Sequence, residues 1–149
     1  CAHSFRQFRR TNTEGALMSN LGVVVVSSEE DTQKSVAELL AQCGLQTRVA
    51  STIRETQGIL GDDHMCVVVC AEELPDGNFH DVVRLSRGLA GKVPVVVFSH
   101  LADWNRYLKI MGAGAFDYVL YPSIRGELER VVRNALAYTA ERVMGAWAG

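Results

Sequence analysis

The chain has 149 residues, 48% of them apolar and 21% charged, a balance that supplies one hydrophobic core and points to a single compact domain. Its formal charge of −2 excludes a protein that coats nucleic acid, because phosphate binding needs a basic field. No apolar run approaches the ~20 residues of a membrane span, so a soluble, cytoplasmic protein with no membrane contact is expected.

The first seventeen residues stand apart. Arg6, Arg9 and Arg10 against Glu14 give them a local charge of +2 and leave −4 for the remainder. They contain no continuous apolar stretch of the secretory type. Residues 1–20 are therefore read as a disordered extension, 21–138 as the domain, and 139–149 as a helical extension or tail. The cysteines Cys1, Cys43, Cys66 and Cys70 lack the paired spacing of a zinc site and are read as reduced core residues.

From Leu21 onward, short apolar runs alternate with longer segments of helical periodicity. Val23, Val24, Val25 and Val26 are four successive β-branched residues, predicting a first strand buried on both faces that ends at Ser27 and Ser28. Glu29, Glu30 and Asp31 favour a helix N-terminus. Val36, Leu39, Leu40 and Cys43 then recur at helical spacing until Gly44. Leu45, Thr47 and Val49 alternate as a more exposed second strand. Thr52 with Glu55 offers a capping box for a short helix carrying Ile53, Ile59 and Leu60 and ending at Gly61.

Met65–Cys70 predicts a third strand, followed by a loop over 71–77 in which Asp76 is an ordinary turn residue. The next helix is expected to bury Phe79, Val82, Val83 and Leu85. Val93–Phe98 predicts a fourth strand with Pro94 near its start, where a missing amide costs least. Trp104, Tyr107, Leu108 and Met111 stripe a fourth helix, closed by Gly112 and Gly114. A fifth strand is predicted over Phe116–Leu120, ended by Tyr121 and Pro122. A last helix from about Ser123 places Leu128, Val131, Val132, Ala135 and Leu136 on one face.

Five such βα pairs predict an α/β fold: a doubly wound, five-stranded parallel sheet of flavodoxin-like order 2-1-3-4-5 in a three-layer αβα arrangement. Sites then belong at the carboxyl ends of the strands. Those ends carry Ser27, Ser28, Ala71, Glu72, Ser99, His100 and Tyr121.

The ordered pieces LPDG (Leu74–Gly77), PVVVFS (Pro94–Ser99) and GAFDYVLYP (Gly114–Pro122) resemble the response-regulator receiver family of two-component phosphorelays over about Leu21–Tyr138. The resemblance implies an acidic pair holding Mg²⁺ after strand one, a phosphoacceptor aspartate ending strand three, a hydroxyl after strand four and a lysine after strand five. A carboxylate nucleophile facing an anionic donor needs such cations to offset repulsion. Matched position by position, the acidic pair becomes Ser27 and Ser28, and the acceptor becomes Ala71, four residues before Pro75. Ser99 keeps the hydroxyl, and Tyr121 stands where the lysine is expected. Glu29 and Glu72 adjoin these positions, but a one-residue shift in a strand turns its side chains to the other face.

The expectation is a degenerate receiver with no catalytic residue, no metal and no cofactor, which is not an enzyme and acts by protein–protein interaction independently of phosphorylation. The family uses the fourth helix, fifth strand and fifth helix as its output face, implying a protein partner or homodimer contact there. Tyr118 matches the family's aromatic position, and Trp104 and Tyr107 join it as candidates, aromatic residues being concentrated at interface centres. As half-buried core residues of an amphipathic helix, Trp104 and Tyr107 carry an equally good reading. The alternative function is a small-ligand sensor or minor enzyme using Ser27, Ser28, Glu72, Ser99, His100 and Tyr121 as a repurposed pocket. No serine elbow, P-loop or dinucleotide fingerprint supports a specific chemistry there.

Overall fold

The computed structural model describes residues 22–62, 65–88, 93–101, 103–122 and 126–148. The expected extension over 1–20 lies outside them, as do Cys1 and Ser123. Strands β1 (Gly22–Val26), β2 (Gln46–Ala50), β3 (Met65–Ala71), β4 (Val95–Ser99) and β5 (Asp117–Leu120) form one parallel sheet of order β2-β1-β3-β4-β5. Helices α1 (Glu30–Gln42), α2 (Ile53–Asp62), α3 (Phe79–Arg87), α4 (Trp104–Gly112) and α5 (Glu127–Ala148) complete the expected doubly wound fold.

Side chains alternate across a strand, so the valine runs fill two cores at once. Val23, Val25, Val67, Val69 and Val96 meet α1 through Leu40 and α5 through Leu128 and Leu136. Val24, Val26, Val68, Val95 and Val97 face the other way, towards Leu60, Phe79, Val82 and Ile110. All four valines of β1 are fully buried, each contributing roughly 1.5–3 kcal/mol relative to exposure. This is why the central strands show no polar alternation; the edge strand β2 does not alternate as expected either, since it buries only Ala50 and leaves Val49 46% exposed.

Several boundaries differ from the sequence reading. Gly61 lies inside α2, which runs on to Asp62, one residue past the expected stop. Strand β4 begins at Val95, while Pro94 contributes only its carbonyl, which accepts from Val68 N at 3.0 Å. Phe116 lies just before β5. Leu85 is half-buried, and Ser86 takes the buried place on α3, its hydroxyl donating to the Val83 carbonyl at 2.9 Å. Of the three described cysteines, Cys70 is a core residue, whereas Cys43 and Cys66 are half-buried.

The loop after β3 is more ordered than a plain connection. Glu73–Leu74 pairs antiparallel with Gly77–Asn78, and the turn between them projects Asp76 onto α2. The Asp76 carboxylate accepts from Ile53 N at 2.9 Å and Arg54 N at 3.2 Å, so it caps a helix 23 residues away in sequence. Thr52 Oγ1 accepts from Glu55 N at 3.1 Å, forming the first half of the expected capping box. A second capping box starts α3, where Asn78 accepts from His80 N and Asp81 accepts from Asn78 N. Gly77 makes room for it: at φ 156° a Cβ there would lie 2.3 Å from Asp81 Oδ2.

Candidate functional site

The carboxyl ends of β1, β3 and β4 open onto a cavity of ≈ 240 Å³. Its floor comes from the strand ends: Ser27, Ala71 and Ser99. Parallel pairing sets Ala71 opposite Phe98, so the residue ending β3 and the one ending β4 open on the same edge. Ser27 is buried, and its backbone N–H donates to the Ala50 carbonyl at 3.0 Å. Its hydroxyl oxygen accepts from Glu29 N at 3.2 Å, which turns the chain into α1. Ser99 is also buried, and its oxygen accepts from Leu101 N at 3.2 Å.

Charged groups stand around this floor. Glu29, Glu72 and Glu73 line the cavity together with Arg106 and His100. Glu72 Oε1 lies 3.4 Å from Arg106 Nη1, with the two side chains 22% and 41% exposed, so the pair is screened by solvent on its outer side only. Arg106 Nε also faces Asp103 Oδ2 at 3.9 Å. His100 bridges two loops: Nδ1 donates to the Tyr121 carbonyl at 2.7 Å, and Nε2 faces Glu29 Oε2 at 3.5 Å. Among the described residues, no group of three or more His, Cys, Asp or Glu side chains is placed to hold a metal ion.

Of the residues expected in the pocket, Ser27, Glu72, Ser99 and His100 line it, while Ser28 and Tyr121 do not. Ser28 is exposed. The Tyr121 ring rests edge-on against Phe98, and its hydroxyl meets Ser35 of α1. Sequence reading missed Arg106, whose only local signal is a polar residue at the third position of a helix. It reaches the cavity because α4 packs against β5 and starts just after β4, a placement no spacing rule encodes.

The second group of candidates does meet. Trp104 stacks on Tyr107 with ring centroids 5.3 Å apart, and Tyr107 packs edge-on to Tyr118 at 6.3 Å. The Tyr118 hydroxyl donates to the Leu101 carbonyl at 2.7 Å. The expected core stripe of α4 needs correction. Ile110 is the buried anchor, whereas Trp104 is 69% and Leu108 51% exposed, while Leu101, also exposed, lines the cavity with Arg106. Trp104 and Leu108 fall one turn apart on one helix face.

A five-stranded parallel sheet of this order between two helical layers, with its polar cavity at the carboxyl edge, is the receiver fold of two-component response regulators. The beryllofluoride-activated NtrC4 receiver domain dimer superposes on it with a TM-score of 0.71 at 20% identity, covering 79% of this chain and 98% of that one. In sequence, the chain is 26% identical over 119 residues to the response regulator protein PilR of Pseudomonas aeruginosa. It is 25% identical over 114 residues to the regulatory protein AtoC of Escherichia coli. These alignments cover 80% and 76% of this chain but 27% and 25% of the two relatives, so the chain spans about a quarter of their length. No family model matches. The chain thus has the fold of receiver domains, and its sequence is similar to part of a response regulator. No helix among the described residues is long and apolar enough to cross a membrane.

Proposed function

We propose that this domain is a phosphorylation-independent receiver that signals by binding a protein partner through α4 and β5. The observation that carries the reading is Ala71 in the wall of the cavity where β3 ends. A methyl group offers no nucleophile, so no acyl phosphate can form at that place. The surroundings agree. Ser27 has its hydroxyl committed to the α1 turn, Ser28 is exposed, and the nearest carboxylate, Glu72, is paired with Arg106. That donor set is a poor match to Mg²⁺, which binds through one or two carboxylates and keeps its waters.

Binding is supported by the exposed Trp104 and Leu108 of α4, the stack of Trp104 on Tyr107 and the place of β5 at the edge of the sheet. Exposed aromatic and aliphatic side chains gathered on one helix face mark interaction surfaces. A second copy of the chain and a different protein are both candidate partners. The repurposed-pocket reading has less behind it, since ≈ 240 Å³ falls below the roughly 300–1,000 Å³ of ordinary ligand sites. A thermal-shift screen of nucleotides and metabolites would revive it through strong stabilisation that Ser99→Val removes.

The leading reading is tested by incubating the protein with acetyl phosphate, or with beryllofluoride, in the presence of Mg²⁺. No mass shift and no Mg²⁺-dependent change in tryptophan fluorescence are expected. A stable phosphoryl adduct would overturn it.

A further inference from the structure

Resting on the docking reading, we propose that the Glu72–Arg106 ion pair is a latch that holds the N-terminal half of α4 against the β3 loop, and so sets how the ridge of Trp104 and Leu108 is presented. Helix α4 is held unevenly along its length. Its single fully buried side chain is Ile110, in its C-terminal half. From Asp103 to Tyr107 no aliphatic side chain enters the core: Asp103, Trp104 and Asn105 are exposed, and Arg106 and Tyr107 are half-buried. A helix end without buried aliphatic contacts has low local stability and opens more readily than the rest of the fold.

What holds that end is polar and aromatic. Arg106 reaches Glu72 at 3.4 Å, Tyr107 leans on Tyr118, and Tyr118 holds the Leu101 carbonyl at 2.7 Å. Among the described residues, the arginine contact ties α4 to the loop that follows Ala71. It crosses 34 residues of sequence and joins two segments that share no hydrogen-bonded strand. The position after β5 that faces the cavity as a cation in the receiver pattern is here Tyr121, turned towards Ser35. The cation at the cavity therefore comes from α4 itself. Whatever pulls on Glu72 or Arg106 pulls directly on the helix that carries the ridge. Arg106 lies on the side of α4 away from Trp104 and Leu108, as its i+2 spacing from each requires, so the latch can hold the helix from behind while the ridge stays free to dock.

The test uses the whole chain with Glu72→Gln, Arg106→Gln, the double Gln variant and the charge-swapped Glu72→Arg/Arg106→Glu pair. Amide hydrogen exchange is read over residues 104–109 of α4 and over 82–86 of α3 as an internal control. Half-exposed ion pairs are weak, so each Gln variant is expected to speed exchange in α4 by roughly two- to five-fold and to leave α3 unchanged. The charge swap should return α4 towards the parent rate. In a Trp147→Phe background, acrylamide quenching of Trp104 should rise in the Gln variants and fall back in the swapped pair.

Unchanged exchange in α4, a swap that fails to restore it, or equal acceleration in α3 would each overturn the latch. A Gln variant that fails to fold would do so as well, because a pair at the cavity rim is dispensable to the two cores. The acetyl phosphate result and loss of association in Trp104→Ala bear on the proposed function, whereas hydrogen exchange in α4 bears on the latch, so the two failures are distinguishable.

Discussion

The Tyr121 hydroxyl lies 2.5 Å from Ser35 Oγ, joining the end of β5 to the first helix across the carboxyl edge of the sheet. The contact takes the Tyr121 side chain away from the cavity and commits its hydroxyl to α1. His100 secures the same residue through its carbonyl, so the end of β5 is held from both backbone and side chain. The cavity is left with Arg106 as the cation paired to Glu72 and with hydroxyls on its floor. Phosphoryl chemistry would need its parts to converge on one point.

Restoring the nucleophile alone should therefore be insufficient. Ala71→Asp is expected to remain unmodified by acetyl phosphate and Mg²⁺, because Ser27 and Ser28 supply no carboxylate and Tyr121 no fixed charge. The combination Ser27→Asp, Ser28→Asp, Ala71→Asp and Tyr121→Lys should acquire an adduct of one phosphoryl mass. Intact-protein mass spectrometry distinguishes the cases, and a phosphoryl adduct on Ala71→Asp alone would contradict the account of the site.

The two sides of α4 should separate stability from binding. Ile110→Ala removes a side chain that is 1% exposed and is expected to cost roughly 2–5 kcal/mol in urea unfolding. Trp104→Ala removes one that is 69% exposed and should cost about 1 kcal/mol or less, mainly its stacking on Tyr107. Trp104→Ala should nonetheless abolish self-association or partner binding measured by sedimentation. The reverse pattern would place Trp104 in the core and remove the ridge.

Asp76 should make the start of α2 sensitive to acid. The Ile53 N–H, joined by that of Arg54, holds its carboxyl below the ordinary value of 3.8. A depressed pKa means the stabilisation is present above the unfolded value and is lost as pH falls through the folded one. Asp76→Ala should lower the melting temperature at pH 7, and the gap from the parent should close in acid as the pH falls below 3.8 and through the depressed carboxyl value. An equal gap at both pH values would assign the loss to something other than the charged cap.

Cysteine reactivity should rank by burial. Desolvation pushes the Cys70 thiol up to about 12 and raises Cys66 as well, the latter opposed by a hydrogen bond from the Gly22 backbone. Since the thiolate is the reactive form, iodoacetamide at pH 8 should leave Cys70 unmodified in the native protein. Half-buried Cys43, whose thiol faces Glu129 Oε2 at 3.7 Å, should be alkylated first of the three. Peptide mass spectrometry reads the order, and early labelling of Cys70 would show that β3 opens to solvent.

The strands and most helices were legible in the sequence because their signals are local. Four consecutive valines can only be a strand buried on both faces, and Gly44 with φ 85° is a helix stop written into one residue. That Ala71 stands at the carboxyl edge of the sheet was legible too, since it rests on counting back from Pro75. Side-chain destinations were not. Asp76 reads as turn chemistry and turns out to cap a helix on another segment. Trp104 read equally well as a core residue and as an interface residue; it is exposed, and the core takes Ile110.

By itself, then, the sequence determined the layer order, the strand sequence and which side chains end each strand, because periodicity and β-branching act within a few residues. Only the tertiary structure decided that Arg106 meets Glu72, that Tyr121 turns to Ser35, and that α4 presents its aromatic face outward. Those outcomes depend on how helices cross the sheet edge, a distance in space between residues 34 and 86 positions apart, where no local pattern reaches.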